Sequence, residues 1–281
     1  MKTSAAPSPL VAVRRWTGRS LAAPKPDAVA IEEPLELRIE TRPIAVIMRT
    51  PGHDDELAAG FLVSEGLLKH KEQILALRPY PRNAEGNVLD VHLAEGVVCD
   101  IAALTRHVFA SSSCGVCGRA TLAAVRRRFP RVQDSIRIDP QVIIRLPDQL
   151  RAGQKAFDAT GGLHAVGLFS ATGELLCLRE DVGRHNAVDK VIGRLFLDGG
   201  LPLQKMILMV SGRVSFEIVE KALASGVPVI AAVSAPTGLA IALARRSGIT
   251  LIGFLRDGRF NVYCGAKRFR ATSPSKRIPS E

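Results

Sequence analysis

Residues 206–255 read MILMVSGRVSFEIVEKALASGVPVIAAVSAPTGLAIALARRSGITLIGFL. Apolar runs at 206–210, 229–233 and 250–255 have the length and β-branched content of buried strands. Between them lie a short loop of small residues and about ten residues with apolar positions at helical spacing, 216–225 and then 238–246. Apolar strands joined by helical crossovers predict an α/β fold with a largely parallel sheet covered on both faces. Working outward, 163–169 and 174–178 read as strands around the turn Ala171-Thr172-Gly173, and 186–196 as a helix. After Asp257-Gly258 a last strand is expected at 260–264.

The N-terminal half has a mixed pattern. Residues 36–40 and 44–48 predict a hairpin across Thr41-Arg42-Pro43. Thr50-Pro51-Gly52-His53-Asp54-Asp55 then opens a helix that ends near Gly66. A strand follows at 88–93, a helix from Gly118 to Phe129-Pro130, a boundary at Ile138-Asp139-Pro140 and a helical run over 147–158. This divides the chain into a loose tail (1–26), an α+β domain (27–139), an α/β domain (140–270) and a second loose tail (271–281).

No window approaches the ~18 consecutive apolar residues of a membrane span, and residues 1–26 lack the apolar core of a signal peptide. Five cysteines, at 99, 114, 117, 177 and 264, do not form a secreted disulfide framework and suit a reducing compartment. The net charge of +11 calls for polyanionic company. Two tyrosines and one tryptophan leave few platforms for stacked bases, which argues against nucleic acid.

In an α/β sheet, ligands gather beyond the carboxyl ends of the strands. The loops there are Ser211-Gly212-Arg213, Ser234-Ala235-Pro236-Thr237-Gly238 and Arg256-Asp257-Gly258-Arg259. Small hydroxyl residues, glycines, helix starts and arginines in such loops favour a phosphate or nucleotide ligand. Dinucleotide and P-loop fingerprints are missing. The run Glu180-Asp181-Val182-Gly183-Arg184-His185-Asn186-Ala187-Val188-Asp189-Lys190 packs acids, bases, an imidazole and an amide into one loop-to-helix entry, and His164 stands alone on an apolar strand.

Ser113-Cys114-Gly115-Val116-Cys117-Gly118 carries a C-x-x-C pair. Such a pair serves as half a zinc site, as a redox disulfide, or as a nucleophile that carries sulfur. No second pair completes a zinc site, and the preceding serine run is unlike the strand that leads into a thioredoxin-type motif. A helix start and Arg119 close behind Cys114 would lower its pKa and hold a thiolate ready. Zinc deaminase chemistry is disfavoured: His164-Ala165-Val166 lacks the glutamate of H-x-E, and no proline precedes Cys114.

Met48-Arg49-Thr50-Pro51-Gly52, Asp55-Glu56-Leu57-Ala58-Ala59-Gly60-Phe61-Leu62, the cysteine pair, Thr160-Gly161-Gly162-Leu163-His164, residues 180–190, Ser211-Gly212-Arg213 and residues 253–263 together resemble the FdhD family of formate dehydrogenase accessory sulfurtransferases. The resemblance implies a cytoplasmic homodimer that takes sulfur as a persulfide from a cysteine desulfurase. It implies delivery of that sulfur to the molybdenum cofactor, in its bis(molybdopterin guanine dinucleotide) form, before insertion into the catalytic subunit of formate dehydrogenase. Cys114 would be the persulfide carrier and Cys117 its helper. Phe254, Leu255, Arg256, Asp257, Gly258 and Arg259 would bind the cofactor, with Ser211, Arg213, His164, Asp181 and His185 as further cofactor-binding residues. The α/β domain would resemble a cytidine deaminase without a catalytic metal of its own, and neither nucleic acid nor membrane would be a partner. The rival reading is a cofactor-binding chaperone that transfers no sulfur.

Overall fold

The computed structural model describes residues 8–81, 83, 85–99 and 129–270. Near the N-terminus, within and beside the stretch expected as a tail, β1 (Leu10–Val13) and β2 (Lys25–Ala28) pair as an antiparallel ribbon. Then β3 (Glu33–Ile39) and β4 (Arg42–Arg49) form the expected hairpin. Its tight turn puts Glu40 and Thr41 at φ 47° and 67°, the left-handed geometry that matches strand twist. Alternation sets its buried face, with Leu35, Leu37 and Ile39 no more than 1% exposed.

Helix α1 (Asp54–Ser64) follows, then β5 (Ile74–Pro79) and β6 (Val88–Leu93), which complete a four-stranded sheet in the order β4-β3-β6-β5. Helix α2 (Pro140–Gly153) begins seven residues before the expected start at 147. Both prolines fit the first turn of a helix. The Asp139 carboxylate decides for the first by accepting from Gln141 N at 2.9 Å, and Pro147 is carried inside the helix at the loss of one backbone bond. Helix α3 (Lys155–Thr160), β7 (His164–Ser170), β8 (Leu175–Asp181), α4 (Arg184–Leu197), β9 (Met206–Val210), α5 (Phe216–Ser225), β10 (Val229–Ala232), α6 (Gly238–Ser247), β11 (Thr250–Arg256) and β12 (Arg259–Cys264) follow among the described residues.

The second sheet has six strands in the order β12-β11-β10-β9-β7-β8. Only β9–β10 and β10–β11 are parallel; β7–β8, β7–β9 and β11–β12 are antiparallel. The expectation of a largely parallel sheet is therefore corrected to a mixed one. The turns at 171–173 and 257–258 are too short for a crossover and force antiparallel hairpins at both ends. The chain crosses from β8 through α4 to β9, and β7 fills the gap between them.

Period-two alternation gives this sheet two apolar faces. Leu208, Val210, Ile230 and Ala232 join a cluster with α1, α4, α5 and α6. Ile207, Met209, Val229 and Ala231 join a second with Val142, Ile143 and Leu146 of α2. The first cluster runs without a break into Leu35, Leu37 and Val91 of the N-terminal sheet, so the two halves share a core. Their junction is the crossing of α1 and α4. A Cβ on Gly60 would fall on the Asp189 carbonyl oxygen, and one on Gly193 on that of Glu56, so the two backbones touch at glycines.

Candidate functional site at the carboxyl edge of the sheet

Strands β9, β10 and β11 end at Val210, Ala232 and Arg256 on one edge of the sheet. Because β7 is antiparallel to β9, with Val166 opposite Val210, His164 lies at that same edge. In the β7–β8 register His164 pairs with Asp181, which brings the start of α4 there as well. Residues scattered from 164 to 259 in sequence are thus brought to one edge, with strand spacings of ~4.8 Å placing β7 and β11 roughly 14 Å apart.

Asp181 is fully buried. Its carboxylate accepts from Thr50 N (3.2 Å), Gly183 N (2.8 Å) and Asn186 Nδ2 (2.9 Å), and pairs with Lys190 Nζ at 2.7 Å. Lys190, 1% exposed, also donates to Thr50 O at 2.8 Å, and Asn186 Nδ2 donates to Met48 O at 2.7 Å. The arrangement pins the entry of α4 to the segment after β4. Asp181 therefore acts as a positioning group, its oxygens occupied by the scaffold.

Ser211 is held in a reciprocal pair: its N–H donates to Ala165 O and its hydroxyl accepts from Ala165 N, both at 2.9 Å. The next loop is tied on by Val214 N to Ala235 O (3.2 Å) and Thr237 N to Val214 O (2.9 Å). Arg213 lies between these anchors in the chain and is exposed.

His185 Nε2 is 3.1 Å from Ser215 Oγ and 3.8 Å from the Glu217 carboxylate. Burial, helped by the Lys221 and Arg184 cations and opposed by Glu217, pushes its pKa down to about 4. His164 is lowered too, by burial first and then by Arg184, against Asp181. Glu217 would be raised by burial, but hydrogen bonding from Ser215 and from its own amide, with His185 and Arg184 nearby, holds it below the usual carboxylate range. Behind this cluster Lys221 pairs with Asp189 at 2.7 Å, and Ser64 Oγ donates to the same carboxylate at 2.7 Å. At neutral pH both imidazoles are uncharged, and the positive charge left facing solvent belongs to arginines.

Along the edge, Phe254 sits at φ 53° in an irregular stretch of β11, its N–H donating to Ser234 O at 3.1 Å. Leu255 is 1% exposed and packs in the core under α2, so only its backbone is available to a ligand. Asp257 (φ 53°) and Gly258 (φ 70°) make the two-residue turn that presents Arg256 and Arg259, all four exposed. The Arg256 guanidinium lies 5.8 Å from the Phe254 ring centroid.

Cys114 and Cys117 lie outside the described residues. Cys99, Cys177 and Cys264 are within them, and burial raises the pKa of each, as suits inert structural thiols. On either side of the 100–128 stretch, Cys99 and Phe129 pack against the main core, and Val132 N donates to Ser247 O at 2.9 Å.

Reasoning from the sequence placed Thr50 and Lys190 within its motifs but did not single out Ser215, Glu217 or Lys221. The signal for Glu217 and Lys221 was their i, i+4 spacing, matched by that of His185 with Asp189, which places the two pairs on facing sides of α4 and α5.

Residues 30–270 match the model of the FdhD/NarQ family, a span that holds every group described above apart from the N-terminal ribbon. The chain belongs to the FdhD/NarQ family. Among relatives of this FdhD/NarQ protein, the sulfur carrier protein FdhD of Streptomyces avermitilis is 50% identical over 252 residues, 87% of this chain and 89% of that protein. The protein of the same name from Mycobacterium tuberculosis is 50% identical over 254 residues, 87% of this chain and 92% of that one. A crystal structure from Desulfotalea psychrophila, described as a formate dehydrogenase accessory protein, superimposes with a TM-score of 0.75. It covers 94% of this chain and 100% of its own at 24% identity, a likeness of fold.

Proposed function

We propose that this FdhD/NarQ protein is a sulfur carrier in the maturation of formate dehydrogenase, with Cys114 as the sulfur-bearing residue. The observation that carries the reading is the 50% identity to relatives named sulfur carrier proteins along nearly their whole length. The cysteine pair follows the chemistry those names require. Cys114 thiolate attacks the terminal sulfur of a persulfide on a cysteine desulfurase; the donor S–S bond breaks, the donor cysteine leaves as thiolate, and Cys114 holds the sulfane sulfur. Cys117 is its helper: its thiolate can attack the Cys114 sulfur of the persulfide, expelling sulfide to the acceptor and leaving a Cys114–Cys117 disulfide that an external dithiol reductant reopens.

The acceptor in this proposal is the molybdenum cofactor in its bis(molybdopterin guanine dinucleotide) form, bound as substrate. The chemistry of the edge fits its diphosphates: Arg184, Arg213, Arg256 and Arg259 gather there, His164 and His185 are neutral, and Asp181 is already paired with Lys190. Phe254 and the Asp257-Gly258 turn offer an aromatic surface and bare backbone beside the arginines. Work in the cytoplasm as a homodimer, and kinship of the 140–270 unit with cytidine deaminases, belong to the same reading. Among the described residues no helix is long and apolar enough to cross a membrane.

The test is replacement in a host lacking its own copy of the gene. Cys114→Ala is expected to abolish formate dehydrogenase activity, while Cys177→Ala leaves it intact. Full activity with Cys114→Ala would favour a chaperone that transfers no sulfur.

A further inference from the structure

The antiparallel ribbon of β1 and β2 stands apart from both apolar clusters. No residue from Ser8 to Pro34 is buried, and Leu10 and Trp16 are 71% and 62% exposed, with Val11 and Leu21 exposed beside them. Its own backbone holds it: β1 pairs with β2, Trp16 bridges to Leu21, Ala22 N donates to Arg15 O at 2.9 Å and Thr17 N to Ser20 O at 3.0 Å. A two-stranded ribbon alone in water is marginal, because it hides too little apolar surface. Regular pairing with the apolar side chains left in solvent therefore points to a surface that covers them.

The ribbon is rooted at the candidate site. Ile31 O accepts from Thr50 Oγ1 at 3.0 Å, and Thr50 in turn donates its N–H to Asp181 and accepts from Val182 N at 3.1 Å. A Cβ on Gly162, two residues before His164, would sit 3.1 Å from Ala30 Cβ. Val29 N donates to Pro9 O, which makes Leu10 and Ala28 a non-hydrogen-bonded pair, so Leu10 and Ala12 turn their N–H and C=O groups out of the ribbon. These groups have no partner among the described residues. Opposite Ala12, the outward position on β2 is Pro26, which has no N–H. Strand β1 is thus the edge open to a further strand.

Charge selects the occupant. The ribbon carries Arg14, Arg15, Arg19 and Lys25 against Asp27 alone, and all five are exposed. A second copy brings the same positive excess within a chain of net charge +11, and the sequences 1–7, 100–128 and 271–281 are themselves basic. A lipid surface would leave the β1 edge unsatisfied, and a nucleic acid has no strand to pair with it. We propose that the ribbon is a docking arm for an acidic protein surface that adds an extended segment to β1, with Trp16 and Leu21 seated in an apolar groove beside it. Its length of about twenty residues matches one side of a standard interface. The identity of the occupant rests on the function proposed above. The arm springs from the edge assigned there to the cofactor, so the protein it holds is the one that receives the cofactor, the catalytic subunit of formate dehydrogenase.

The probe is that catalytic subunit, purified without its cofactor and titrated against the full-length protein by interferometry at low and high salt. Binding is expected, and it should weaken as salt rises. Trp16→Ala should weaken it by about 10- to 100-fold, as loss of an aromatic anchor does. Ala12→Pro, which removes one outward N–H and spares the β1–β2 ladder, should weaken it by about 2- to 10-fold. Arg14→Glu with Arg15→Glu should slow association by about 10-fold or more. All of these side chains are exposed, so each variant should unfold at the temperature of the unaltered protein. Trp16 is the one tryptophan of the chain, so fluorotryptophan labelling gives a single fluorine resonance that should shift when the subunit is added. Full affinity in Trp16→Ala and Ala12→Pro, an unmoved resonance, or no binding by the unaltered protein would overturn the inference. So would ribbon variants whose only effect is on self-association or on binding to anionic phospholipid vesicles. Sulfur loading of Cys114 is a separate readout: a protein whose ribbon binds the subunit but which never acquires sulfur keeps the docking arm and loses the carrier function.

Discussion

Replacing Lys190 with methionine keeps most of the side-chain volume and removes the charge that neutralises Asp181. In the structure the two are 1% and 0% exposed and 2.7 Å apart, so solvent cannot substitute for the lost partner. Breaking a buried pair from one side costs about 3–5 kcal/mol, because the remaining charge is left uncompensated. Lys190 also donates to Thr50 O, which adds to the loss. Against a total stability of ~5–15 kcal/mol this is a large fraction. With a urea m-value of about 2–3 kcal/mol/M the unfolding midpoint should fall by roughly 1–2 M. Asp181→Asn alone should also destabilise, leaving Lys190 charged and unpaired. The double variant should lose less than the two single losses combined, because neither charge is then stranded. A loss of under about 1 kcal/mol in Lys190→Met, or simple additivity in the cycle, would refute the view that this ion pair fixes the entry of α4.

Gly60→Ala drives a methyl group into the Asp189 carbonyl, and separation of α1 from α4 should cost at least the ~1–3 kcal/mol of an overpacked core, measured by thermal unfolding. Glu56, which donors on Arg179 approach at 2.5 and 2.7 Å, has its pKa held at about 2 although burial works to raise it. Its folded pKa lies below the unfolded one, so it supplies about 3 kcal/mol above pH ~4.3 that is lost as pH falls through about 2. Glu56→Gln should flatten that part of the acid-denaturation profile. His185, held neutral down to about 4, should titrate there by NMR. Because the unfolded chain takes up that proton near pH ~6.5, the folded state should lose stability as pH falls from there to about 4. His185→Asn should remove this slope.

Strands β9, β10 and β11 were legible because they are continuous apolar runs closed by loops of small residues, a pattern that burial on both faces imposes. The parallel reading failed at β7, β8 and β12, where apolar content looks the same and only the short turns at 171–173 and 257–258 signal an antiparallel partner. Helix α2 was shortened because Pro140 and Pro147 are equally good helix starts until the Asp139 cap is seen. The loops at the carboxyl edge were found because helix starts with Gly, Ser and Arg carry their own chemistry. Which of their side chains stay accessible was not legible. Asp181 and Leu255 look alike in kind to their neighbours, yet one is enclosed by Lys190 and the other by the core under α2. That division depends on long-range packing, which no local pattern records.

Mass spectrometry of the intact protein after incubation with a cysteine desulfurase and cysteine, with peptide mapping of Cys114, tests the carrier function most directly. The account predicts one added sulfur atom on Cys114, removable by reductant and absent from Cys177, Cys264 and the Cys114→Ala protein. An unmodified Cys114 beside a desulfurase shown to carry its own persulfide would contradict it.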